Sequence, residues 1–106
     1  MPLPDLTHLQ FQVLDILGGV ARPGWVVRDK LKEVGESKTL PAFYQMMARL
    51  EDANFVKGEY RKVEVDGHPV NERWYKITGH GLKARQATLD FYSDRELSGV
   101  RGGLAQ

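Results

Sequence analysis

The chain has 106 residues, no cysteine and a formal net charge of +1 at pH 7. Its length fits one domain, and the lack of cysteine excludes a disulfide framework, a thiolate metal site and a thiol nucleophile. The longest apolar run is far too short to span a bilayer, and the first residues lack the basic and apolar segments of a signal peptide. We therefore expect a cytoplasmic protein with no membrane partner. With so small a net charge, any nucleic-acid surface must come from local clustering of charge.

Two helices are predicted in the first third of the chain, after an extended arm at residues 1–6. Thr7 and Gln10 have the spacing of a capping box, and apolar residues then recur at helical spacing until Gly18-Gly19 ends the helix. A second helix is predicted over residues 24–34, because its apolar residues lie three to four positions apart.

The third predicted helix begins near Thr39 and ends at Asn54, a residue type that accepts the left-handed conformation found after helices. Pro41 is tolerated in its first turn, since the missing N–H would be unpaired there anyway. One side of this helix carries a predicted apolar stripe: Leu40, Phe43, Tyr44, Met47 and Leu50. The opposite side is small near its start, then polar and then basic.

A charged hairpin follows the third helix. Alternating residues predict strands over 56–65 and 72–77, joined by an Asp66-Gly67 turn that His68-Pro69 is expected to lengthen. Thr78 is placed to cap a last helix that runs to residue 92 or beyond.

The last predicted helix is apolar on more than one side. A small domain cannot easily bury both sides against itself, so the second one indicates a partner chain. The residues expected to form this dimer contact are Leu82, Ala84, Leu89, Phe91 and Tyr92.

Three helices followed directly by a charged hairpin are typical of a winged helix-turn-helix. The predicted fold class is α+β, mostly helical, with a three-helix core, a two-stranded wing and a C-terminal dimerisation helix. The predicted divisions are a winged-helix DNA-binding domain at residues 1–78, the dimerisation helix at 79–98 and a flexible tail at 99–106.

The sequence resembles the PadR family of bacterial transcriptional regulators over residues 6–92. The matching pieces, in chain order, are Leu6-Thr7 through Leu17, Gly24-Trp25-Val26-Val27, Phe43-Tyr44, Arg49-Leu50-Glu51, Gly67 with Pro69, and Trp74-Tyr75-Lys76-Ile77-Thr78. The resemblance implies a homodimeric repressor whose third helix enters the major groove of double-stranded DNA while the wing touches the flanking backbone. It differs at the wing tip, where His68 stands in place of the family's usual arginine, and after the third helix, where Asn54 replaces a glycine.

The outward side of the third helix has the chemistry that a major groove requires. Gln45 can pair with adenine, Ala42 can touch a thymine methyl, and Arg49 can bind guanine or a phosphate. The complete set of candidate DNA contacts is Lys38, Thr39, Ala42, Gln45, Arg49, Arg61, Lys62 and Arg73. The alternative for the helix is an ordinary solvated face, and for the hairpin a ladder of cross-strand charge pairs.

Trp25 and Trp74 are candidates for a pocket that binds a small aromatic effector, as in some relatives, although core or rim packing is the alternative. The three histidines lack metal-ligand spacing, and no catalytic set or phosphate loop is apparent, so we predict neither an enzyme nor a cofactor. The rival to a DNA-binding regulator is a winged-helix adaptor that binds another protein.

Overall fold

In a computed structural model, the chain is described over residues 6–104, with side chains over residues 6–94. This part of the chain forms four helices and a three-stranded antiparallel sheet, which confirms the predicted α+β winged-helix fold. The elements are α1 (His8–Leu17), β1 (Arg22–Pro23), α2 (Gly24–Glu33), α3 (Leu40–Asp52), β2 (Val56–Val65), β3 (His68–Ile77) and α4 (Gly79–Leu104). The predicted arm at residues 1–5 and the end of the tail at 105–106 lie outside the described residues.

The predicted helix caps are confirmed. Thr7 Oγ1 accepts a hydrogen bond from the N–H of Gln10 at 3.1 Å, and the N–H of Thr7 donates to Gln10 Oε1 at 3.0 Å. These reciprocal bonds satisfy donors that an isolated helix start would leave unpaired. Beyond the end of α3, Asn54 adopts a φ of 63°, the left-handed conformation expected there.

The core lies between α1, α2, α3 and the base of the hairpin. The residues that α3 contributes to the core differ from the predicted apolar stripe. Two predicted residues, Leu40 and Tyr44, are 50% and 39% exposed, whereas Met46, which was not predicted, is 9% exposed. Residues three and four apart share a helix face, so the buried side of α3 centres on Phe43 and Leu50. The fully buried side chains of the core are Val13, Leu14, Leu17, Val27, Leu31, Phe43, Met47 and Leu50.

The sheet has one strand that the sequence did not predict. The short β1 pairs with β3, and β3 pairs with β2, so the strand order is β1-β3-β2. The hairpin turn is also tighter than predicted. Asp66 and Gly67 both have positive φ, at 52° and 79°, as a two-residue turn requires. His68 and Pro69 do not lengthen the turn, because they already pair with β2 as the start of β3.

The last helix, α4, packs against α1 and β3. Gly81 and Thr88 are buried, and Arg85 Nη2 lies 2.7 Å from Asp15 Oδ1 of α1. The backbone is helical through Leu104, six residues beyond the predicted end of the dimerisation helix at residue 98. Within residues 6–104, no helix is both long and apolar enough to cross a membrane.

Candidate nucleic-acid interface

Two hydrogen bonds fix the end of the turn between α2 and α3, just before α3 begins. Arg28 Nε donates to the carbonyl oxygen of Lys38 at 3.1 Å. Thr39 Oγ1 accepts from the N–H of Ala42 at 3.3 Å, so Thr39 caps its own helix. Lys38 is thereby held at the corner where the chain turns into α3.

The outward side of α3 forms a groove with the start of α1. This groove, of about 260 Å³, is lined by Thr7, Leu9, Gln10, Lys38, Ala42, Gln45, Met46 and Arg49. We call Lys38, Ala42, Gln45 and Arg49 the recognition surface. Four of the five residues predicted on the third helix and the turn before it are therefore brought together, while Thr39 lies at the helix start as its cap.

Some residues beside this surface were missed by the sequence analysis. Thr7 and Gln10 were recognised only as a helix cap, although they line the same groove as Gln45. Nothing local in the sequence indicates that α1 begins beside α3, because that proximity follows from packing. Tyr44 was assigned to the core, but it is partly exposed on the side of α3 nearest the hairpin.

The strand register divides the predicted wing cations between two faces. Directly opposed residues in an antiparallel pair share a face. One face of the hairpin borders a cleft with α3, and we call it the inner face. It carries two of the opposed pairs, Tyr60 with Arg73 and Lys62 with Asn71. Arg61 is paired with Glu72 on the opposite, outer face. The three predicted wing cations therefore cannot act on one surface.

On the inner face, Arg73 forms an ion pair with a carboxylate. Its Nη2 lies 2.6 Å from Oε1 of Glu51, at the end of α3, and both side chains are 25% exposed. Burial lowers the pKa of Arg73, but the charge of Glu51 and a hydrogen bond with Tyr75 outweigh it, so the pKa lies above its ordinary value. For Tyr75 burial acts in the other direction, and it raises the pKa of the phenol to about 12. Lys62 is exposed and, among the residues that the structure describes, forms no ion pair.

On the outer face, Arg61 also forms an ion pair with a carboxylate. Its Nη2 lies 2.7 Å from Glu59 Oε1, and its guanidinium carbon lies 4.2 Å from the ring centroid of Trp74. The indole N–H groups of Trp25 and Trp74 both donate to Glu72, at 3.2 and 2.7 Å. The two tryptophans predicted to line a pocket therefore converge on one carboxylate.

A cavity of about 220 Å³ does lie on this face, lined by Lys57, Glu59, Trp74, Tyr75, Lys76, Ile77 and Thr78. Trp25 is not part of its lining, and its side chain is 57% exposed. Within a single chain, Trp25 and Trp74 therefore do not line a common cavity, and a pocket that they share between two subunits stays a prediction. A small aromatic effector stays a prediction.

The five residues predicted for dimerisation differ in their surroundings. Leu82 and Tyr92 are each 47% exposed, and Leu89 and Phe91 are half-buried. Ala84 instead packs against the core of its own chain, because it lies on the side of α4 that faces α1. Within residues 6–94, no group of three or more histidine or acidic side chains is arranged to hold a metal ion.

The fold defines a winged-helix protein with a long helix after the wing. No family model and no curated protein matches the sequence. Solved structures match across most of the chain, and many of them are structures of PadR-family transcriptional regulators. The chain therefore has the fold of PadR-family transcriptional regulators, as the resemblance implied.

Three matches illustrate the likeness. A PadR-like transcription factor from Bacteroides fragilis is 23% identical, with a TM-score of 0.65, and the match covers 91% of this chain and 88% of that one. A PadR-like regulator from Bacillus cereus is 18% identical, with a TM-score of 0.70 and coverage of 92% and 91%. Bacillus subtilis PadR, solved in complex with operator DNA, is 21% identical with a TM-score of 0.64. That match covers 78% of this chain but 48% of the other.

Proposed function

We propose that this protein is a homodimeric, cytoplasmic regulator that binds a specific operator in double-stranded DNA and represses transcription by occupying it. The observation that carries the proposal is the recognition surface, where Gln45 and Arg49 stand exposed on α3 beside Lys38. The likeness to Bacillus subtilis PadR, which was solved with operator DNA, supports it.

Each residue of the recognition surface has a role that suits its chemistry. Gln45 is a bidentate partner for adenine, and Ala42 is small enough to meet a thymine methyl. Arg49, two turns from the helix start, and Lys38, at the corner before it, suit phosphates. On the wing, Lys62 is the cation that we assign to the DNA backbone, because Arg61 and Arg73 are paired with carboxylates.

We further propose that α4 dimerises the protein and that residues 1–78 form the DNA-binding unit. Leu82 and Leu89 lie seven residues apart on one side of α4, and Leu82 is half exposed. The described part of the chain measures 63 × 26 × 22 Å, which is an elongated shape. A symmetric dimer would present two α3 helices to successive major grooves, about 34–36 Å apart.

Fluorescence anisotropy tests the proposal, with DNA from just upstream of the protein's own gene and unrelated DNA as competitor. We expect binding that resists the competitor and weakens as salt rises, because phosphate contacts release counterions. A matched pair of variants sharpens the test. Gln45→Ala should weaken binding, whereas Val20→Ala, at an exposed position in the loop after α1, should not. Equal binding to every DNA by wild type and both variants would contradict the proposal.

The rival function, a protein-binding adaptor, also has a specific observation in its favour. Two of the three predicted wing cations are paired with carboxylates, and exposed Val65 and Val70 give the wing tip apolar character. Exposed apolar residues near one another are typical of protein contacts. Weak binding that does not distinguish operator from competitor would favour this function.

A further inference from the structure

We propose that the ion pair between Glu51 and Arg73 is a clamp that fixes the wing relative to α3. On this view Arg73 is a positioning residue, which supports DNA binding through Glu51 and does not itself contact a phosphate. The clamp is a property of the free protein. Its effect on DNA rests on the proposed function.

The pair joins two elements whose relative orientation would decide how DNA is contacted. Glu51 lies in the last turn of α3, and Arg73 lies in β3, 22 residues further on. Their side chains meet at 2.6 Å with a quarter of each exposed. The short link from α3 into β2 leaves the angle between helix and hairpin to be set by contacts such as this one.

Gly58 of β2 lies directly beneath the pair. A Cβ placed on Gly58 would lie 2.6 Å from Arg73 Nη2 and would overlap Glu51 Oε1. Real Cβ atoms do not approach other atoms so closely, so a larger residue at Gly58 would shift the ends of both side chains. The glycine is therefore what allows the ion pair to cross β2.

Aromatic rings hold the guanidinium from the sides. The guanidinium carbon of Arg73 lies 4.7 Å from the ring centroid of Tyr60 and 5.8 Å from that of Tyr75. Both distances allow cation–π attraction, which is stronger where water is partly excluded. Arg73 is thus confined by a carboxylate and two rings, which suits a fixed joint better than a mobile phosphate contact.

The hairpin contains a natural comparison in the pair of Arg61 with Glu59. Those two residues lie on the same strand, β2, and their side chains are 42% and 52% exposed. A pair within one strand cannot fix the angle between two elements, and so exposed a pair contributes little. Glu59→Gln is therefore the control for Glu51→Gln, since each removes one carboxylate charge from an arginine of the hairpin.

The clamp is tested first in the free protein, by measuring the distance between spin labels on α3 and on the wing. The chain has no cysteine, so Ala48→Cys and Val65→Cys give two exposed labelling sites without background. Dilution with unlabelled protein removes distances between subunits. We expect Glu51→Gln to broaden the distance distribution and Glu59→Gln to leave it unchanged. An unchanged distribution in Glu51→Gln would overturn the clamp.

A glycine variant provides a second route that removes neither charge. Gly58→Ala displaces the pair and should broaden the same distribution. Gly19→Ala is its control, because a Cβ at Gly19 meets nothing within 4 Å. Should Gly58→Ala retain the narrow distribution of the parent, the requirement for a glycine beneath the pair would be refuted.

DNA binding then separates a clamp from a phosphate contact. A clamp predicts that Glu51→Gln and Arg73→Gln weaken operator binding alike, by about two- to fivefold, and that Glu51→Arg combined with Arg73→Glu restores much of it. A phosphate contact predicts opposite effects on operator binding. Arg73→Gln would weaken it, whereas Glu51→Gln would strengthen it, because Arg73 would be free to bind DNA. If the parent protein bound no operator at all, the proposed function would fail while the label distances still decided the clamp.

Discussion

The hydroxyl of Thr78 donates a 2.6 Å hydrogen bond to the carbonyl oxygen of Asn54, and so joins the end of α3 to the start of α4. The Thr78 hydroxyl oxygen in turn accepts a 2.9 Å hydrogen bond from the N–H of Gly81, and so caps α4 as the sequence predicted. One small side chain therefore connects the helix proposed to contact DNA with the helix proposed to dimerise.

We expect Thr78→Val to lower the free energy of unfolding by about 1–2 kcal/mol, because it removes both a helix cap and a hydrogen bond between elements. The measurement is urea unfolding followed by circular dichroism. Ser93→Ala removes an exposed hydroxyl from α4 and serves as the control, with an expected change within about 0.5 kcal/mol. Equal urea midpoints for the two variants would show that the hydrogen bonds of Thr78 contribute nothing to stability.

The buried phenol of Tyr75 predicts a loss of stability in alkali. Its pKa is raised to about 12 in the folded protein, from the ordinary value of 10.0. Because the unfolded state releases this proton first, the stabilisation is complete below pH 10 and is lost as pH rises towards 12. The expected loss is about 2–3 kcal/mol over that window.

Urea titrations of wild type and Tyr75→Phe, from about pH 8 to about pH 11, measure this linkage. Below pH 10 the difference in unfolding free energy between the two proteins should stay constant. Above it, wild type should lose stability relative to the variant. A difference that stays constant throughout would show that Tyr75 ionises equally easily in both states.

Features set by neighbours in sequence were predictable, whereas features set by packing were not. The capping box at Thr7 and the left-handed Asn54 depend on residues within one helical turn, so the sequence alone specified them. The partner of Arg73 depends on how the hairpin leans on α3, which no local pattern records. The sequence alone therefore presents Arg73 as a free cation, and its contact with DNA stays a prediction.

The errors on α3 and in the sheet have similar causes. Tyr44 is aromatic at a spacing that allows either the core or its edge, and only the position of the hairpin decides between them. The two residues of β1 are too few to show alternation, and Pro23 argues against a strand. The identity of the outward residues Gln45 and Arg49 was nevertheless predictable, because helical periodicity alone puts them opposite the buried side of α3.

A substitution at Leu82 tests the proposed dimer without removing α4. Leu82→Glu places a charge on the half-exposed side of the helix, away from Ala84 and the chain's own core. We expect the dissociation constant of the dimer to rise at least tenfold, because an interface core rarely accepts an unpaired charge. Sedimentation equilibrium measures the change, and Lys83→Glu, at the neighbouring exposed position, is the control. Dissociation constants that are the same for both variants would argue that this side of α4 is not the interface.

Gln45 is predicted to contact a DNA base directly. If its amide pairs with one adenine, Gln45→Ala should cost about 1–3 kcal/mol on the operator and relax preference at one base pair only. Binding to a set of operators, each changed at a single base pair, measures that loss of preference. Arg49→Ala is the comparison, since removal of a phosphate contact weakens binding to every sequence and lowers the salt dependence by about one counterion. If Gln45→Ala behaved like Arg49→Ala, the amide would contact only the DNA backbone.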